Sequence, residues 1–510
     1  MSVFGRPLLA AALAAVALSG NVSAGNPAVE PTPAVSTVNA VEVASVPSLA
    51  PQTPCAVAER PLRYVLDFDR GTTSAAATGE IAAACGSTTV YYPQIAVAVA
   101  TSTDPAFAGR IGPGRAFSAQ GERLAAQQAN SSTTEPKQVV SRSQEGSADD
   151  AATPKADRSA EQWDMRAIGA PAARAINPGS RDVVVGVLDS GVDPNQPELA
   201  RAIAPDLSAG CLTGAPDTAE QAWSQTTSPH GTHVAGIIAA AADNAGITGV
   251  APGVRIASVK VIDDRGYVDP EAVVCGLMWA AKARMKVTNS SFFVNPWGLS
   301  CAHSGDDHVV HEVIARAVEY ATSAGTLNVA AATNEAVNLT PSPGSGRPST
   351  PQDGTGPGCE ALPAGLRDVV AVSAVGANGV KAGYSSYGLG VIDVTAPGGD
   401  AGQCVLSTVP GGYAPLCGTS MAAPHAAGVV ALLASAHPSF GPKQLRAALD
   451  NEAVPIACPA DYDLTGDGTQ DAYCAGYEGY NGFYGHGMVN ATAAVLPARD
   501  PNLPSTGPTR

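Results

Sequence analysis

The chain has 510 residues, with 45 aspartates and glutamates against 29 lysines and arginines, and a formal net charge of −16. This length allows a large core and more than one domain. The acidic balance and the lack of a basic patch argue against nucleic acids and anionic membranes as partners.

The first 24 residues have the pattern of a secretory signal. Arg6 precedes a short apolar run from Leu8 to Leu18, and the small residues Val22–Ala24 suit a cleavage site. Because a membrane-spanning helix needs about 20 apolar residues, a cleaved signal is favoured over the alternative, a membrane anchor. No later stretch is long and apolar enough to span a membrane. We therefore expect a secreted, extracellular protein.

A small domain is predicted before the main part of the chain. Residues 25–54 are rich in Pro, Val, Ser and Ala, which is typical of a disordered leader. The segments that then favour regular structure are two strand patterns, RYVLDF (63–68) and TVYYPQIAVAVA (89–100), and a short helix over 76–84. We predict a small α+β domain at about 55–117. Residues 119–160 are polar and predict a linker.

From Asp182 onward, apolar strands alternate with helices. The predicted strands are 182–188, 255–262, 286–292, 326–334, 368–375 and 391–397. The predicted helices start at His230, at Asp269-Pro270 with the aspartate as N-cap, at 307 (ending before Gly325), and at Ser420. Continuous apolar strands are covered on both faces, so the alternation predicts an α/β fold with a mostly parallel sheet between helices. Active sites in such folds lie beyond the carboxyl ends of the strands.

The ten cysteines predict disulfides, because the chain is expected to be exported and no CxxC or Cys/His cluster has metal-site spacing. Two cysteines precede the main part of the chain and eight lie within it. Proximity along the chain favours the pairs Cys55–Cys85, Cys404–Cys417 and Cys458–Cys474, then Cys301–Cys359, which leaves Cys211 and Cys275. The sequence alone does not fix this connectivity.

Three motifs place a carboxylate, an imidazole and a hydroxyl in sequence order. VLDSGVD contains Asp189, HGTHVAG contains His230, and GTSMAAPH contains Ser420. A hydroxyl nucleophile needs a base to take its proton, and the base needs a carboxylate to orient it. Together the motifs resemble the subtilisin-like serine proteases, the subtilases, for which the order Asp, His, Ser is a known signature. An α/β-hydrolase esterase is disfavoured, since no GxSxG motif is present and the order differs.

The resemblance assigns the roles within the motifs. It implies that Ser420 is the nucleophile, His230 the base and Asp189 the orienting carboxylate, in a three-layer subtilisin-like domain. Ser420 begins a helix of small residues, where the helix dipole favours negative charge, although a serine there is also a common helix cap. Of the competing histidines, His233 and His425 match structural positions of the family.

The resemblance also implies an oxyanion hole and a peptide-binding cleft. Asn334, in VAAATNEA, and the N–H of Ser420 are the expected oxyanion donors, although Thr333 stands where the family usually has glycine. The alternative for Asn334 is an ordinary turn residue. The residues expected to bind an extended peptide are Ile262, Asp263, Asn289, Ser290, Ser291 and Phe292. The run SSFFVNPW departs from the family, so the pocket for the residue before the cut is expected to be unusual.

The order of signal, small domain, linker and protease motifs resembles a subtilase precursor. In that family the small domain assists folding, inhibits the protease and is then removed; the alternative is an unrelated accessory domain. The predicted divisions are a signal (1–24), a propeptide (25–118), a linker with the maturation site (119–160), the peptidase domain (161–497) and a short tail (498–510).

An acidic loop near the C-terminus matches a calcium-binding pattern. Asp463, Thr465, Asp467 and Asp471 occupy the first, third, fifth and ninth places of an EF-hand-like loop, with Gly468 at the sixth. Cys474 replaces the usual glutamate at the twelfth place, and the alternative is an acidic surface loop. The chemistry itself needs no cofactor.

The sequence thus predicts a secreted, monomeric serine endopeptidase that acts on polypeptides and is made as a self-processing precursor inhibited by its own propeptide. Two alternatives stay open. One is a maturation protease of narrow specificity. The other is a catalytically silent subtilase scaffold that binds a partner.

Overall fold

The structure is a computed structural model of the whole chain. It describes residues 54–129 except 59, residues 156–340 except 295, 297–298 and 302–304, residues 359–463 except 401, and residues 468 and 472–497. The side chains of 129, 301, 305, 306 and 359 are likewise outside the description. The predicted signal, leader and C-terminal tail lie outside the described residues. From Cys55 onward the described residues belong to one compact unit.

The small subdomain, residues 55–129, is built around a four-stranded sheet. In chain order its elements are β1 (Leu62–Asp67), α1 (Ser74–Ala83), β2 (Ser87–Tyr92), β3 (Val97–Ser102), α2 (Phe107–Ile111), β4 (Ala116–Phe117) and α3 (Ala119–Ala129). The strand order is β2-β3-β1-β4 and every described pairing is antiparallel. This matches the predicted small α+β domain, with the segment 89–100 forming a hairpin of two strands.

The two faces of this small sheet pack against different partners. Successive side chains of a strand alternate between faces. Tyr64 and Leu66 pack with Ile81 of α1 in the subdomain's own core. Val65, between them, belongs instead to a core that it shares with the large subdomain. The large subdomain therefore packs against one face of the small sheet.

The large subdomain, residues 156–497, contains the other described elements. The strands are β5 (Val184–Asp189), β6 (Ala209–Gly210), β7 (Arg255–Lys260), β8 (Val287–Ser290), β9 (Ser300–Cys301), β10 (Leu327–Ala331), β11 (Cys359–Glu360), β12 (Val369–Val375), β13 (Val394–Pro397), β14 (Val405–Val409), β15 (Gly412–Leu416), β16 (Gly476–Tyr477) and β17 (Tyr480–Asn481). The helices are α4 (Trp163–Ala167), α5 (Ala170–Ile176), α6 (Glu220–Trp223), α7 (His230–Ala239), α8 (Pro270–Lys282), α9 (Gly305–Ser323), α10 (Thr419–Ala436), α11 (Pro442–Glu452) and α12 (Ala491–Ala494).

Seven strands form one parallel sheet in the order β13-β12-β10-β8-β5-β7-β6. The chain leaves β5 toward β7 on one side and later adds β8 on the other, so the strand order reverses at β5. Asp189 is the last residue of β5, and Ser290 is the last residue of β8 beside it. Ligands bind at such reversal points, beyond the carboxyl ends of the strands.

Helices cover both faces of the sheet. On β5, Val185 and Val187 face the core formed with α7 and α10, whereas Leu188 faces the core formed with α8 and α9. This arrangement confirms the predicted three-layer α/β fold. Among the described residues, one helix, α10, is long and apolar enough to cross a membrane, and 89% of it is buried inside the protein.

Two segments differ from their prediction. The polar segment expected to be a linker begins with the helix α3, which is held because Arg123 forms a two-point ion pair with Asp269 at 2.5 and 3.0 Å. Asp269 does begin α8, but its side chain makes no cap hydrogen bond. The carboxylate binds Arg123 instead, so the ion pair replaces the predicted cap.

Four disulfides are present among the described residues. They are Cys55–Cys85, Cys211–Cys275, Cys404–Cys417 and Cys458–Cys474. Cys211–Cys275 is the pair that the other assignments left over. The antiparallel pairing of β9 with β11 puts Cys301 opposite Cys359. Their side chains lie outside the description, so that bridge stays a prediction.

Arg316 of α9 is the main polar link between the two subdomains. Its Nη1 donates to the carbonyl oxygens of Phe68 and Ile95 at 2.8 and 3.2 Å, and it forms an ion pair with Asp67 at 2.7 Å. Only about a tenth of the Arg316 side chain is exposed. Because three acceptors of the small subdomain depend on one buried cation, its removal leaves all three without compensation.

We predict that Arg316→Ala lowers the free energy of opening of the small subdomain by about 3–5 kcal/mol. The substitution leaves a buried carboxylate without its ion-pair partner and two carbonyls without this donor. Hydrogen exchange of the β1 and β3 amides measures this opening. Arg70→Ala is the matched control: its ion pair with Glu319 also joins the subdomains but is exposed, and its loss should cost less than about 1 kcal/mol. Equal effects of the two changes would contradict the prediction.

Candidate active site

A buried carboxylate–imidazole pair lies at the carboxyl end of β5. Asp189 is fully buried and His230 is 3% exposed. Nδ1 of His230 lies 2.8 Å from Oδ1 of Asp189, and the same oxygen accepts a hydrogen bond from the N–H of Ser190 at 2.7 Å. A Cβ at Gly231 would lie 2.3 Å from the carbonyl oxygen of Gly191. The absent side chain thus lets the start of α7 approach the end of β5.

The pair has a definite electrostatic consequence. Burial lowers the pKa of His230, but the charge of Asp189 and its hydrogen bond raise it by more, so the pKa lies above the usual value. The carboxylate accepts from Nδ1–H, which leaves Nε2 as the nitrogen that takes up a proton. Nε2 is buried and makes no hydrogen bond to a described residue.

The competing residues of these motifs are engaged elsewhere. His233 is fully buried, and its Nε2 faces the carbonyl oxygens of Val405 and Ala414 at 3.1 and 3.0 Å. Burial lowers its pKa to about 3, so the ring stays neutral. Asp193 accepts from the N–H of Asn195 and organises its own loop. His233 therefore makes structural contacts, and Asp193 is engaged in its own loop.

The turn that carries Ser420 is held from the sheet side. Pro424 lies inside α10 and has no N–H, so the carbonyl of Ser420 lacks its usual helical donor. Oγ of Ser291 donates to that carbonyl at 2.8 Å, and Oγ of Ser420 donates to the carbonyl of Ser291 at 3.3 Å. Ser291 directly follows β8, whose last residue pairs with Leu188. Ser420 is therefore placed at the sheet edge that also carries Asp189 and His230.

Asn334 and the start of α10 form a donor site beside Ser420. The amide oxygen of Asn334 accepts from the N–H and the hydroxyl of Thr419 at 2.9 and 2.7 Å. These contacts fix the orientation of the side-chain amide, because a backbone N–H only donates. Nδ2 then makes no hydrogen bond to a described residue. A Cβ at Gly418 would lie 3.2 Å from Nδ2 and 3.6 Å from the Ser420 nitrogen, so glycine keeps this space open.

Thr333 adopts a backbone conformation that normally favours glycine. Its φ of 74° lies in the left-handed region, which a β-branched residue rarely adopts. The side chain is 5% exposed, and its hydroxyl lies 2.8 Å from the hydroxyl of Ser386. The N–H of Ser386 also donates to the carbonyl of Thr333 at 3.1 Å. The threonine therefore holds a backbone conformation that favours glycine, with Ser386 as its support.

The predicted substrate-binding residues lie at the same edge but are turned inward. The side chains of Asn289, Ser290, Ser291 and Phe292 are no more than 6% exposed, and Ile262 is 3% exposed. Asn289 and Ser290 are buried because β8 is a central strand of a sheet that helices cover on both faces. Asp263 forms an ion pair with Arg265 at 2.8 Å. The binding of a peptide by these segments stays a prediction.

The predicted calcium loop is only partly described. Asp463 and Gly468, its first and sixth positions, are joined by a hydrogen bond of 2.9 Å from the glycine N–H to Oδ2. Thr465, Asp467 and Asp471 lie outside the described residues, so calcium binding stays a prediction. Among the described residues, Cys55, Cys85 and Asp104 also lie close together. The two cysteines form a disulfide and offer no thiolate.

The sequence reasoning missed Asp164. It is fully buried, and its Oδ2 lies 3.0 Å from Nε2 of His425, five residues after Ser420. A signal for it was present: an acidic residue stands on the apolar face of QWDMRAI, between Trp163 and Met165. Its partner is 261 residues away along the chain, so no local pattern reveals the pair.

Comparisons with known proteins agree with this geometry. The family model described as Subtilase family, Peptidase S8, matches residues 180–487. Subtilisin Savinase from Lederbergia lenta is 32% identical over 338 residues, which cover 65% of this chain and 98% of that protein. A solved lanthipeptide protease is 25% identical with a TM-score of 0.52, covering 66% of this chain and 94% of that chain. The epidermin leader peptide processing serine protease EpiP from Staphylococcus aureus shares the fold at 18% identity, with a TM-score of 0.60 over 86% of this chain and 99% of that chain.

We predict that the imidazole of His230 titrates above its usual 6.5, and that Asp189→Asn moves its pKa below 6.5 because burial then acts unopposed. A proton–nitrogen NMR titration of the imidazoles measures both values. His233 is an internal control in the same spectra and should stay neutral down to pH 5, since its pKa is about 3. A His230 that titrates at or below 6.5 with Asp189 intact would contradict the account.

Proposed function

This chain belongs to the subtilase family of serine peptidases, and we propose that it hydrolyses internal peptide bonds through Ser420, His230 and Asp189. The observation that carries the proposal is the buried pair of His230 and Asp189, 2.8 Å apart, at the sheet edge that holds Ser420. Its substrates are polypeptides, as for the family.

The chemistry follows from the tautomer that Asp189 imposes. With the proton of His230 on Nδ1, Nε2 accepts the proton of the Ser420 hydroxyl while Oγ attacks the peptide carbonyl carbon. The imidazolium then gives this proton to the leaving amine, and an acyl-enzyme remains. Water, deprotonated by the same Nε2, attacks the ester and releases the new carboxyl end together with free Ser420.

The donors beside Gly418 suit the charge that develops in this reaction. Attack on the carbonyl converts its oxygen into an oxyanion, which needs donors placed in advance. Nδ2 of Asn334 and the N–H of Ser420 flank the same open space. The Asn334 amide does not have to reorient, because its oxygen is already fixed by Thr419. We assign the oxyanion hole to these two donors.

We also propose that the small subdomain is a propeptide that the mature enzyme loses. Two features support this. The small subdomain lies N-terminal to the family match and contributes a buried sheet face to the contact with α8 and α9. The chain between Ala129 and Ala156 joins it to the large subdomain and is the expected site of the cut.

We further propose that the protein is secreted, which the signal-like N-terminus and the four disulfides support.

The contact between the subdomains includes acidic groups on α8. Glu271 is 1% exposed and lies 3.4 Å from Arg63 of β1. Burial, and then the charge of Asp269, raise its pKa to about 8, although Arg63 and Arg123 act in the opposite direction. We expect a separated large subdomain to expose this carboxyl to water, because Arg63 of the small subdomain lies against it in the intact chain. Association therefore takes up a proton.

A second candidate is a maturation protease of narrow specificity. The likeness to a lanthipeptide protease at 25% identity supports it. The run SSFFVNPW supports it as well. The N–H of Val294 in this run donates to the carbonyl of Leu362 at 3.2 Å, so this N–H is already bonded within the chain and offers a peptide no hydrogen bond. Cleavage of a random peptide library discriminates the candidates, because a degradative enzyme cuts many sequences and a maturation enzyme few.

The proposed function predicts that a serine-directed phosphonate labels one site, on the peptide that contains Ser420, and that Ser420→Ala abolishes both labelling and peptide hydrolysis. Ser435→Ala, at the far end of the same helix, is the matched control and should keep both. Peptide mapping by mass spectrometry locates the label. A folded wild-type protein that neither reacts nor hydrolyses any unfolded polypeptide would favour the silent scaffold instead.

The propeptide proposal predicts a pH-dependent release. Protonated Glu271 favours association. This contribution is complete at pH values below 4.5, the usual pKa of the carboxyl, and is lost as the pH rises through about 8, its pKa in the associated state. The affinity of the cleaved small subdomain should therefore fall with rising pH, by at most about tenfold per unit. Size-exclusion chromatography of the cleaved complex at a series of pH values measures this.

Glu271→Gln carries no titrating group and should flatten that pH profile. Glu319→Gln, at the exposed ion pair with Arg70, is the matched control and should leave the profile unchanged. A Glu271→Gln profile as steep as that of the wild type would show that another group carries the proton.

A further inference from the structure

We propose that Asp164 and His425 are a positioning pair that fixes the first turn of α10, and with it Ser420, to the segment that becomes the N-terminus of the mature enzyme. The proposal rests on the proposed function and concerns the same site. It gives helix α4, which carries Asp164, a role in the active site beyond forming the start of the domain.

The pair is buried and geometrically well defined. Asp164 of α4 and His425 of α10 are both fully buried, with 3.0 Å between Oδ2 and Nε2. The other oxygen of Asp164, Oδ1, makes no hydrogen bond to a described residue. The charge of Arg174 also acts on Asp164, but this guanidinium donates to the carbonyl of Gly249 at 2.8 Å. His425 is thus the side chain that hydrogen-bonds the buried carboxyl.

The second contact of His425 fixes where its proton lies. Its Nδ1 lies 2.7 Å from the carbonyl oxygen of Met421, the residue after Ser420. A carbonyl only accepts, so Nδ1 carries a hydrogen. One further proton then joins Nε2 to Oδ2 of Asp164, as an imidazolium–carboxylate pair or as a carboxylic acid that donates to the ring. In both forms an unbroken chain of hydrogen bonds runs from Asp164 to Met421.

The same short helix also holds the other side of the nucleophile turn. Nε1 of Trp163 donates to the carbonyl of Cys404 at 3.3 Å, and Cys404 forms a disulfide with Cys417. Cys417 directly precedes Gly418 and the start of α10. Helix α4 therefore contacts the turn on both sides of Ser420: through the disulfide before it, and through His425 after it.

Helix α4 is in turn fixed by the residues that precede it. The N–H of Arg158 donates to the carbonyl of Gly246, whose own N–H donates to the carbonyl of Ala156, at 2.6 and 3.0 Å. The side-chain amide of Gln162 exchanges two hydrogen bonds with the backbone of Thr248, at 3.1 and 2.9 Å. Maturation must leave these residues on the enzyme. A cut that removed them would release Asp164 from His425.

The expected effect falls on the chemical step. The pair supports the turn that carries the nucleophile, whereas the segments expected to bind peptide are the end of β8 and the residues that follow β7 and β8. A displaced nucleophile loses rate even where substrate still binds, and a shift of about 1 Å costs about 10²-fold. Loss of the pair should therefore lower kcat while KM changes little.

The test uses the full-length chain with Asp164→Ala, Asp164→Asn and the control Glu161→Ala, an exposed carboxylate three residues away that pairs with Arg158. We measure the rate of phosphonate labelling of Ser420, kcat and KM on a peptide, and the melting temperature. Asp164→Ala should lower the labelling rate and kcat by about 10- to 100-fold, with KM changed less than about threefold. Asp164→Asn should restore the labelling rate and kcat to within about threefold, because its amide donates to Nε2 of the same tautomer. Glu161→Ala should match the wild type.

A folded Asp164→Ala protein that labels and turns over at the wild-type rate would overturn the proposal. So would an Asp164→Asn protein as slow as the alanine variant. If Asp164→Ala does not fold, Asp164→Leu, which fills the same space without a buried charge, takes its place in the comparison. Failure of both to fold would overturn a role specific to catalysis. Failure of the proposed function is separate, since the wild-type protein itself would then not be labelled.

Discussion

The hydrogen-bonded pair of Asp189 and His230 is the constraint on which the rest of the site depends. A carboxylate with no exposed surface is costly unless donors compensate its burial, and here the N–H of Ser190 and the imidazole of His230 lie 2.7 and 2.8 Å from Oδ1. The fold meets this condition by ending β5 at Asp189 and starting α7 at His230. The same pair keeps a proton on Nδ1 and leaves Nε2 for the role of base that we propose. Stability and chemistry therefore draw on one contact.

Ser420, the nucleophile that we propose, is positioned differently, because a hydrogen bond that its helical turn lacks is replaced by one from another segment. Pro424 deprives the Ser420 carbonyl of its helical donor, and the Ser291 hydroxyl supplies one. Behind this turn, His425 connects α10 to a helix near the start of the large subdomain. The site therefore draws on residues from both ends of the large subdomain.

Much of this was predictable from the sequence because the signals are local. The continuous apolar run before Asp189 predicted a central parallel strand, and the motifs around His230 and Ser420 predicted residues that the fold brings to one edge. The pairs of Arg123 with Asp269 and of Asp164 with His425 were not predictable, since each joins residues at least 146 positions apart. The helix α3 was missed for the same reason: a polar segment gains order from an ion pair that its own composition does not reveal.

The central claim is that Ser420 is the nucleophile of a peptidase that cuts its own precursor. The most direct measurement is the intact mass and N-terminal sequence of the secreted protein, for the wild type and Ser420→Ala in parallel. The account predicts a wild-type chain that begins between residues 130 and 156, and a mutant that keeps the residues from about position 25 onward. Identical processing of both in the absence of other proteases, or no cut in either, would contradict it.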